Sequence, residues 1–159
     1  MLIRIMMILC ISLSSVYAKI PQNEIQFLMH QPKEKSHIPK QIQFLQHDFT
    51  FVIFYKSTCP HCHKFVPILK DFAATYSIPI ESYSFDGGSL DGLQGQKING
   101  SIYKAYFLQG GFKAVVPALY LKNKITNQVY PVLFGEAKPY QLAARVNTLV
   151  KHIEETMNA

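Results

Sequence analysis

The chain has 159 residues, 48% of them hydrophobic and 16% charged, and a formal net charge of +6 at pH 7. This length and composition predict one globular domain with a core of its own and exclude an intrinsically disordered chain. The lysines are scattered without a basic run or an aromatic ladder between them. The positive charge therefore favours a solvated surface, and we expect no nucleic-acid partner.

Residues 1–18 have the layout of a secretory signal peptide. A basic start at Arg4 precedes an apolar run over residues 5–13, and small residues occupy the positions before a cleavage site after Ala18. The apolar run is short for a bilayer span, which takes about 20 residues, so cleavage is favoured over a retained anchor. Export to the periplasm would place the protein in an oxidising compartment where disulfides persist.

The rest of the chain divides into two predicted parts. Residues 19–47 are polar and only weakly periodic, which predicts an N-terminal extension of helix and linker. Residues 48–159 carry the stronger apolar patterns and predict the folded domain.

The folded domain begins with a predicted β-α-β unit. "FTFVIFY", Phe49 to Tyr55, is an almost unbroken run of β-branched and aromatic residues, typical of a strand buried on both faces. Residues 61–76 have helical spacing, and Pro67 inside them predicts a kink. Residues 78–85 predict a second strand. Strand, helix and strand over this length indicate parallel strands with a right-handed crossover.

A glycine-rich segment follows the second strand. Five glycines lie within residues 86–100 without the spacing of a phosphate-binding loop, so we interpret the segment as a flexible connection. Ser101 to Leu108 predicts a short helix after it.

The last part of the chain predicts a hairpin and a helix. Residues 115–135 indicate two strands around a turn at Lys122 to Gln128, and Pro131 in the second strand suggests an edge position or a bulge. Pro139 opens an amphipathic helix. Its apolar face comprises Leu142, Val146, Leu149, Val150 and Ile153.

The stretch "STCPHCHKF", residues 57–65, carries the chemistry and allows three interpretations. Cys59, His61, Cys62 and His63 could be zinc ligands, but structural zinc prefers two separated pairs of ligands. The same residues form the C-x-x-C-H signature of covalent haem attachment. In that interpretation His63 would be the proximal ligand, with Met29 or Met157 as the distal one. Small c-type haem domains are generally helical, however, whereas a buried strand leads directly into this motif, so we expect no haem and no metal.

A dithiol redox centre explains more of the pattern. Two cysteines so close in sequence would close a tiny loop, and such a disulfide stabilises a fold very little. At a strand-to-helix junction, Cys59 would lie beside the helix N-terminus, where free N–H groups and the dipole favour a thiolate. Cys62, one turn further, would resolve the mixed disulfide, and His61 would lend a charge or a hydrogen bond to the thiolate.

Several of these features together resemble the thioredoxin fold, an α/β fold with a central mixed β-sheet flanked by helices. They are the strand before the dithiol, Cys59-Pro60-His61-Cys62, Pro67 in the helix, Val116-Pro117 opening a strand, and Gly135 before the last helix. The resemblance implies a thioredoxin-like domain over residues 48–159. It also implies that Pro117 is cis and that Pro60, Val116 and Pro117 bind the substrate, with Val116 offering its backbone to an extended peptide.

Within that superfamily, the short length, "YKSTCPHCHKF", the loop after "SFDGG" and "VPALYL" look like the exported thiol–disulfide isomerases of F-type conjugative transfer systems (TrbB-like). The resemblance covers roughly residues 48–155. It implies a disulfide isomerase or reductase whose redox-active pair is Cys59–Cys62, with no other cofactor. The implied partners are exported cysteine-containing proteins, among them conjugative transfer (type IV secretion) components, and a membrane electron donor or acceptor of the Dsb type.

Two other functions stay open. CPHC is the dithiol sequence of the exported oxidase DsbA, so a DsbA-like oxidase is one alternative. A non-catalytic thioredoxin-fold chaperone or assembly subunit is the other.

The sequence also departs from the thioredoxin pattern at two positions. Thioredoxin and DsbA have a buried carboxylate six residues before the first cysteine, and Ile53 occupies that position here. Thr58 stands where thioredoxin has a tryptophan, and the chain contains no tryptophan. Because ligand sites of open α/β sheets lie beyond the carboxyl ends of the strands, we expect residues 86–100 to border the dithiol.

Overall fold

The computed structural model describes residues 45–157. The predicted signal peptide lies outside these residues, as does nearly all of the predicted extension, so both stay predictions. Residues 45–48 form a helical turn that leads into the first strand. Within the described part of the chain, no helix combines the length and the apolar character needed to cross a bilayer.

The centre of the fold is strand β1, Phe49–Tyr55, in which all seven residues are buried. It pairs in parallel with β2, Ile80–Ser84, and antiparallel with β4, Ala118–Asn123. Since elements cover both faces of the strand, aromatic and β-branched side chains are favoured at every position. This pairing confirms the prediction that β1 and β2 are parallel.

One face of the sheet is covered by two long helices, α1 at Pro60–Thr75 and α3 at Pro139–Met157. Both helices place an apolar face on the same core, so burial of these faces stabilises helix and sheet together. That core includes Phe51 and Ile53 of β1, Phe65, Leu69 and Ala73 of α1, and Leu142, Val146, Val150 and Ile153 of α3.

The other face of the sheet is covered by an aromatic cluster. A short helix α2, Gly100–Tyr103, continues into a π-helical turn at Lys104–Leu108, where a regular α-helix was predicted. The Phe54 ring lies 4.9 Å from that of Tyr106 and 5.0 Å from that of Phe107, measured between centroids. Aromatic packing thus holds this segment against the sheet.

The sheet has the order β3-β2-β1-β4-β5. The edge strand β5, Val129–Phe134, carries Pro131, and the register with β4 shifts between Leu119 and Tyr120. The prediction for Pro131 is therefore confirmed. The other edge, β3 at Gln96–Lys97, lies within the segment that we predicted as a flexible connection. The domain, a mixed sheet in this order with α1 and α3 on one face and α2 on the other, has the thioredoxin fold.

Candidate active site

The two cysteines lie where the chain passes from β1 into α1. Cys59 is the N-cap of α1 and has extended backbone dihedral angles, and Pro60 occupies the first helical position. The Cys59 N–H donates to the Lys56 carbonyl at 3.1 Å, which closes the turn after β1. Proline suits this position because the first N–H groups of a helix have no partner within it. The sulfur of Cys59 therefore lies at a helix N-terminus, as the motif predicted.

The two thiols differ in their environments. Cys59 is half-buried, whereas Cys62 is fully buried with Tyr55, Val66 and Leu90. Burial raises the pKa of the Cys62 thiol well above its ordinary value, and a hydrogen bond with Cys59 raises this pKa further. Cys62 is thus held as a neutral thiol directly behind a more accessible one.

A cis peptide bond lies opposite the dithiol. The Val116–Pro117 bond is cis, which confirms the geometry that the resemblance implied. The Cys59 thiol donates a long hydrogen bond, 3.8 Å, to the Val116 carbonyl. The backbone of residue 116 therefore lies within reach of any group bonded to the Cys59 sulfur.

The turn that carries the dithiol is held by a carboxylate, Asp86, to which the sequence motifs assign no role. Asp86 follows β2 and accepts hydrogen bonds from the Ser57 N–H at 2.9 Å and the Ser57 hydroxyl at 2.8 Å. It also accepts from the Ser84 hydroxyl at 2.7 Å and the Gly88 N–H at 3.2 Å. The Ser84 hydroxyl, followed by the Ser57 groups, holds the pKa of Asp86 well below its usual range. Residues 86–100 therefore border the dithiol region, as predicted, through Asp86 and through Leu90, which is buried with Cys62.

A sequence signal for Asp86 does exist. An Asp followed by two glycines after a strand is typical of an Asx turn, in which the carboxylate accepts from the backbone two residues later. That turn accounts for the contact with Gly88. The contact with Ser57 spans 29 residues and has no local signature.

The two histidines of the motif have different partners. Nε2 of His63 donates to the Ser57 carbonyl at 2.7 Å, so His63, to which we assigned no role, supports the same turn as Asp86. Nδ1 of His61 lies 3.0 Å from Oε2 of Glu136. In the structure His61 therefore contacts a carboxylate, whereas from the sequence we expect it to interact with the Cys59 thiolate.

Metal ligands do not converge at the motif. In the described range 45–157, no three His, Cys, Asp or Glu side chains are grouped so that they could hold a metal ion. Ile53, at the position of the thioredoxin carboxylate, is buried in the core. The carboxylate that affects Cys62 is instead Asp86, whose negative charge contributes to the raised pKa of that thiol.

Comparison with known proteins identifies a relative of this chain. The chain is 29% identical over 105 residues to Protein TrbB of Escherichia coli strain K12. The aligned region covers 65% of this chain and 57% of TrbB. The chain thus spans somewhat more than half the length of that relative.

Two solved structures were matched as well. A thioredoxin of Trichomonas vaginalis matches 72% of this chain and 88% of its own, with 18% identity and a TM-score of 0.42. MTB DsbF, in mixed oxidised and reduced forms, matches 70% of this chain and 98% of its own, with 16% identity and a TM-score of 0.43.

A family model covers most of the chain. The model for TraF, described as the F plasmid transfer operon protein, matches residues 14–146. This range contains the dithiol, Asp86, the cis-proline and Glu136. The chain therefore belongs to the TraF family of F plasmid transfer operon proteins.

Proposed function

We propose that this protein is a periplasmic thiol–disulfide oxidoreductase that reduces and isomerises disulfides of exported proteins through Cys59 and Cys62. One observation carries the proposal: a half-exposed thiol caps the N-terminus of α1, and a fully buried thiol lies one turn behind it. This arrangement separates a nucleophile that meets the substrate from a second thiol that reacts afterwards.

The proposed reaction is two successive exchanges. The Cys59 thiolate attacks one sulfur of a substrate disulfide, the substrate S–S bond breaks, and the other substrate sulfur leaves as a thiolate that takes up a proton. Cys62 then loses its proton and attacks the Cys59 sulfur. The second substrate sulfur leaves as a thiol, so the substrate gains two electrons and Cys59–Cys62 becomes a disulfide.

Isomerisation uses only the first half of this sequence. If a different thiol of the substrate attacks the mixed disulfide first, the substrate leaves with a rearranged disulfide and Cys59 returns to the thiol. The raised pKa of Cys62 delays the competing attack, which lengthens the time available for rearrangement. Both activities require a reduced dithiol, and we assign its reduction to a membrane electron donor of the Dsb type.

Substrate binding is assigned to the surface around the cis-proline. The Val116 carbonyl, which the Cys59 thiol contacts at 3.8 Å, would accept a hydrogen bond from an extended substrate backbone. Pro117 and Pro60 would flank that peptide. We expect exported cysteine-containing proteins as substrates, conjugative transfer components among them, because the relative TrbB and the TraF family support this setting.

The same geometry argues against haem attachment. A thioether to haem needs the haem edge beside both sulfurs, but Cys62 is fully buried against Tyr55, Val66 and Leu90. The ring of His63 donates to the Ser57 carbonyl, which engages the nitrogen that a proximal ligand would offer. The absorption spectrum of the purified protein tests this directly, since any covalently bound haem would give visible bands.

The proposal is tested by replacing each cysteine separately. Cys59→Ala should abolish both insulin reduction and repair of scrambled ribonuclease, because no thiol remains to form the mixed disulfide. Cys62→Ala should still attack substrates but accumulate as a mixed disulfide, visible on non-reducing gels. If Cys59→Ala retains either activity, the proposed mechanism is wrong. A chaperone would be indicated by two results together: the wild-type protein lacks both activities, and a variant with both cysteines replaced still binds peptides.

The direction of electron flow is measured by equilibrating the dithiol with glutathione. A thioredoxin-like potential of about −270 mV supports a reductase or isomerase, and a DsbA-like potential of about −120 mV supports an oxidase.

A further inference from the structure

A charged cluster lies beside the dithiol, and the two proposed exchanges give its residues no role. His61 and Lys64, one turn apart on α1, both face Glu136 in the loop before α3. Nδ1 of His61 is 3.0 Å from Oε2 of Glu136, and Nζ of Lys64 is 3.8 Å from the same oxygen. This geometry makes the Nδ1–H of His61 the donor and the carboxylate the acceptor.

The backbone fixes Glu136 in this place. Gly135 has a φ of +92°, a left-handed conformation that favours glycine. Its N–H donates to the Pro117 carbonyl at 2.7 Å, and Pro117 follows the residue whose carbonyl contacts Cys59. The turn that begins with Gly135 therefore holds Glu136 next to the cis-proline and above the first turn of α1.

Glu136 is an anion under ordinary conditions. The hydrogen bond from His61, together with the charge of Lys64, holds the pKa of Glu136 below its usual range. His61 lies in the first turn of α1, two residues after the N-cap Cys59, so a Cys59 thiolate and the Glu136 carboxylate are two anions with which its imidazole can interact. The Nδ1–H that His61 donates to Glu136 is not available to the Cys59 sulfur, and the carboxylate offsets the positive charge that a protonated His61 would bring near a thiolate.

We propose that Glu136 is a positioning residue that holds the His61 imidazole away from Cys59 and so makes the dithiol a weaker oxidant than its CPHC sequence alone would produce. Loss of thiolate stabilisation disfavours the reduced form, and a less stable reduced form means a less oxidising disulfide. This inference rests on the proposed function and specifies its direction, since a weakly oxidising dithiol suits reduction and isomerisation.

The expected effect is moderate because the pair is accessible to solvent. The side chains of His61 and Glu136 are 62% and 43% exposed, and exposed ion pairs are weakened by water and salt. We expect Glu136→Gln to shift the equilibrium with glutathione three- to tenfold toward the reduced dithiol, where tenfold corresponds to about 30 mV.

The experiment measures this equilibrium for the wild type and four variants of the full chain. In the reaction, two glutathione thiols are oxidised to one glutathione disulfide as the Cys59–Cys62 disulfide is reduced to two thiols. Three of the variants are Glu136→Gln, His61→Ala and the double variant, and the fourth is a control. The shift caused by Glu136→Gln should appear with His61 present and disappear in the His61→Ala background. Glu155→Gln, on the exposed side of α3, removes the same charge far along the helix and should leave the equilibrium unchanged.

Each outcome decides the inference. An unchanged equilibrium in Glu136→Gln overturns it, and so does an equal shift in both backgrounds, because Glu136 would then act without His61. A structural role alone would lower stability without moving the potential in a His61-dependent way. Failure of the proposed function is distinguishable, since a wild-type protein that does not exchange disulfides with glutathione or insulin gives no equilibrium to compare.

Discussion

In the unfolded chain, the Cys62 thiol titrates at a pH where folding stability can be measured. Burial raises its pKa in the folded reduced protein, whereas in the unfolded chain the thiol has an ordinary pKa of about 8.5. Above that pH the unfolded chain has lost the proton and the folded protein still holds it. Stability must therefore fall as pH rises, because the unfolded state binds fewer protons.

The resulting prediction compares reduced wild type with Cys62→Ala. Between pH 8 and pH 10, the wild-type free energy of unfolding should fall by about 2 kcal/mol more than that of Cys62→Ala, at about 1.4 kcal/mol per pH unit above 8.5. Urea unfolding in the presence of a thiol reductant gives the free energy of unfolding of both proteins. Alanine also leaves a small cavity, but that cost is the same at each pH. A wild-type-to-variant difference that does not change with pH would contradict the burial of an un-ionised Cys62.

At the scale of elements, the last side chain of β1 orders the segment after β2. Tyr55 is fully buried, and its hydroxyl lies 3.0 Å from the carbonyls of Gly88 and Leu93 and accepts from the Gly95 N–H at 2.8 Å. A Cβ at Gly95 would lie 2.7 Å from that hydroxyl, so glycine is needed for the close approach. Gly95, one of the glycines predicted to make a flexible connection, thus lets the chain fit around a tyrosine.

We therefore expect Tyr55→Phe to loosen this segment without disturbing the sheet. The change leaves the Gly95 N–H and the Leu93 carbonyl without this partner, which should cost about 1–3 kcal/mol. Urea unfolding measures the loss, and limited proteolysis should cut within residues 86–100 sooner than in wild type. Tyr140→Phe is the matched control: Tyr140 is 68% exposed, and its variant should differ from wild type by less than about 0.5 kcal/mol. Equal behaviour of the two variants would show that the Tyr55 hydroxyl does not hold the segment.

At the scale of the whole molecule, the features predicted correctly from sequence are those with a local signature. A continuous apolar run identified β1, helical spacing identified α1 and α3, and a proline within a strand identified the edge at β5. The cysteine spacing at a strand-to-helix junction, together with Val116-Pro117, identified the fold. In each case the physical cause lies within a few neighbouring residues.

The features that were missed depend on residues far apart in the chain. The Ser57–Asp86 contact spans 29 residues and the His61–Glu136 contact spans 75. Strand β3 has two residues, both exposed, so no apolar pattern marks it. The partner of His61 in particular could not be chosen from sequence, because both the Cys59 sulfur and a distant carboxylate are chemically suitable.

The start of the folded domain, predicted at residue 48, is the remaining whole-molecule question. Leu45 precedes that boundary and is fully buried in the core formed by the sheet, α1 and α3. The backbone after it is anchored as well, since the Lys124 N–H donates to the Asp48 carbonyl at 2.7 Å. A side chain that is fully buried in the main core contributes to the free energy of unfolding, even when it precedes the predicted start of the domain.

Leu45→Ala in the full chain should therefore lower the free energy of unfolding by about 2–5 kcal/mol, the range for truncating a buried leucine. Leu108→Ala is the control, because Leu108 is 59% exposed and its truncation should cost less than about 0.5 kcal/mol. Denaturant unfolding followed by circular dichroism compares the two. If Leu45→Ala costs no more than Leu108→Ala, the cooperative domain begins after Leu45, near the boundary that composition predicts. A large loss instead places the turn at residues 45–48 inside the folding unit, because only a side chain packed in the cooperative core can transmit its removal to the whole sheet.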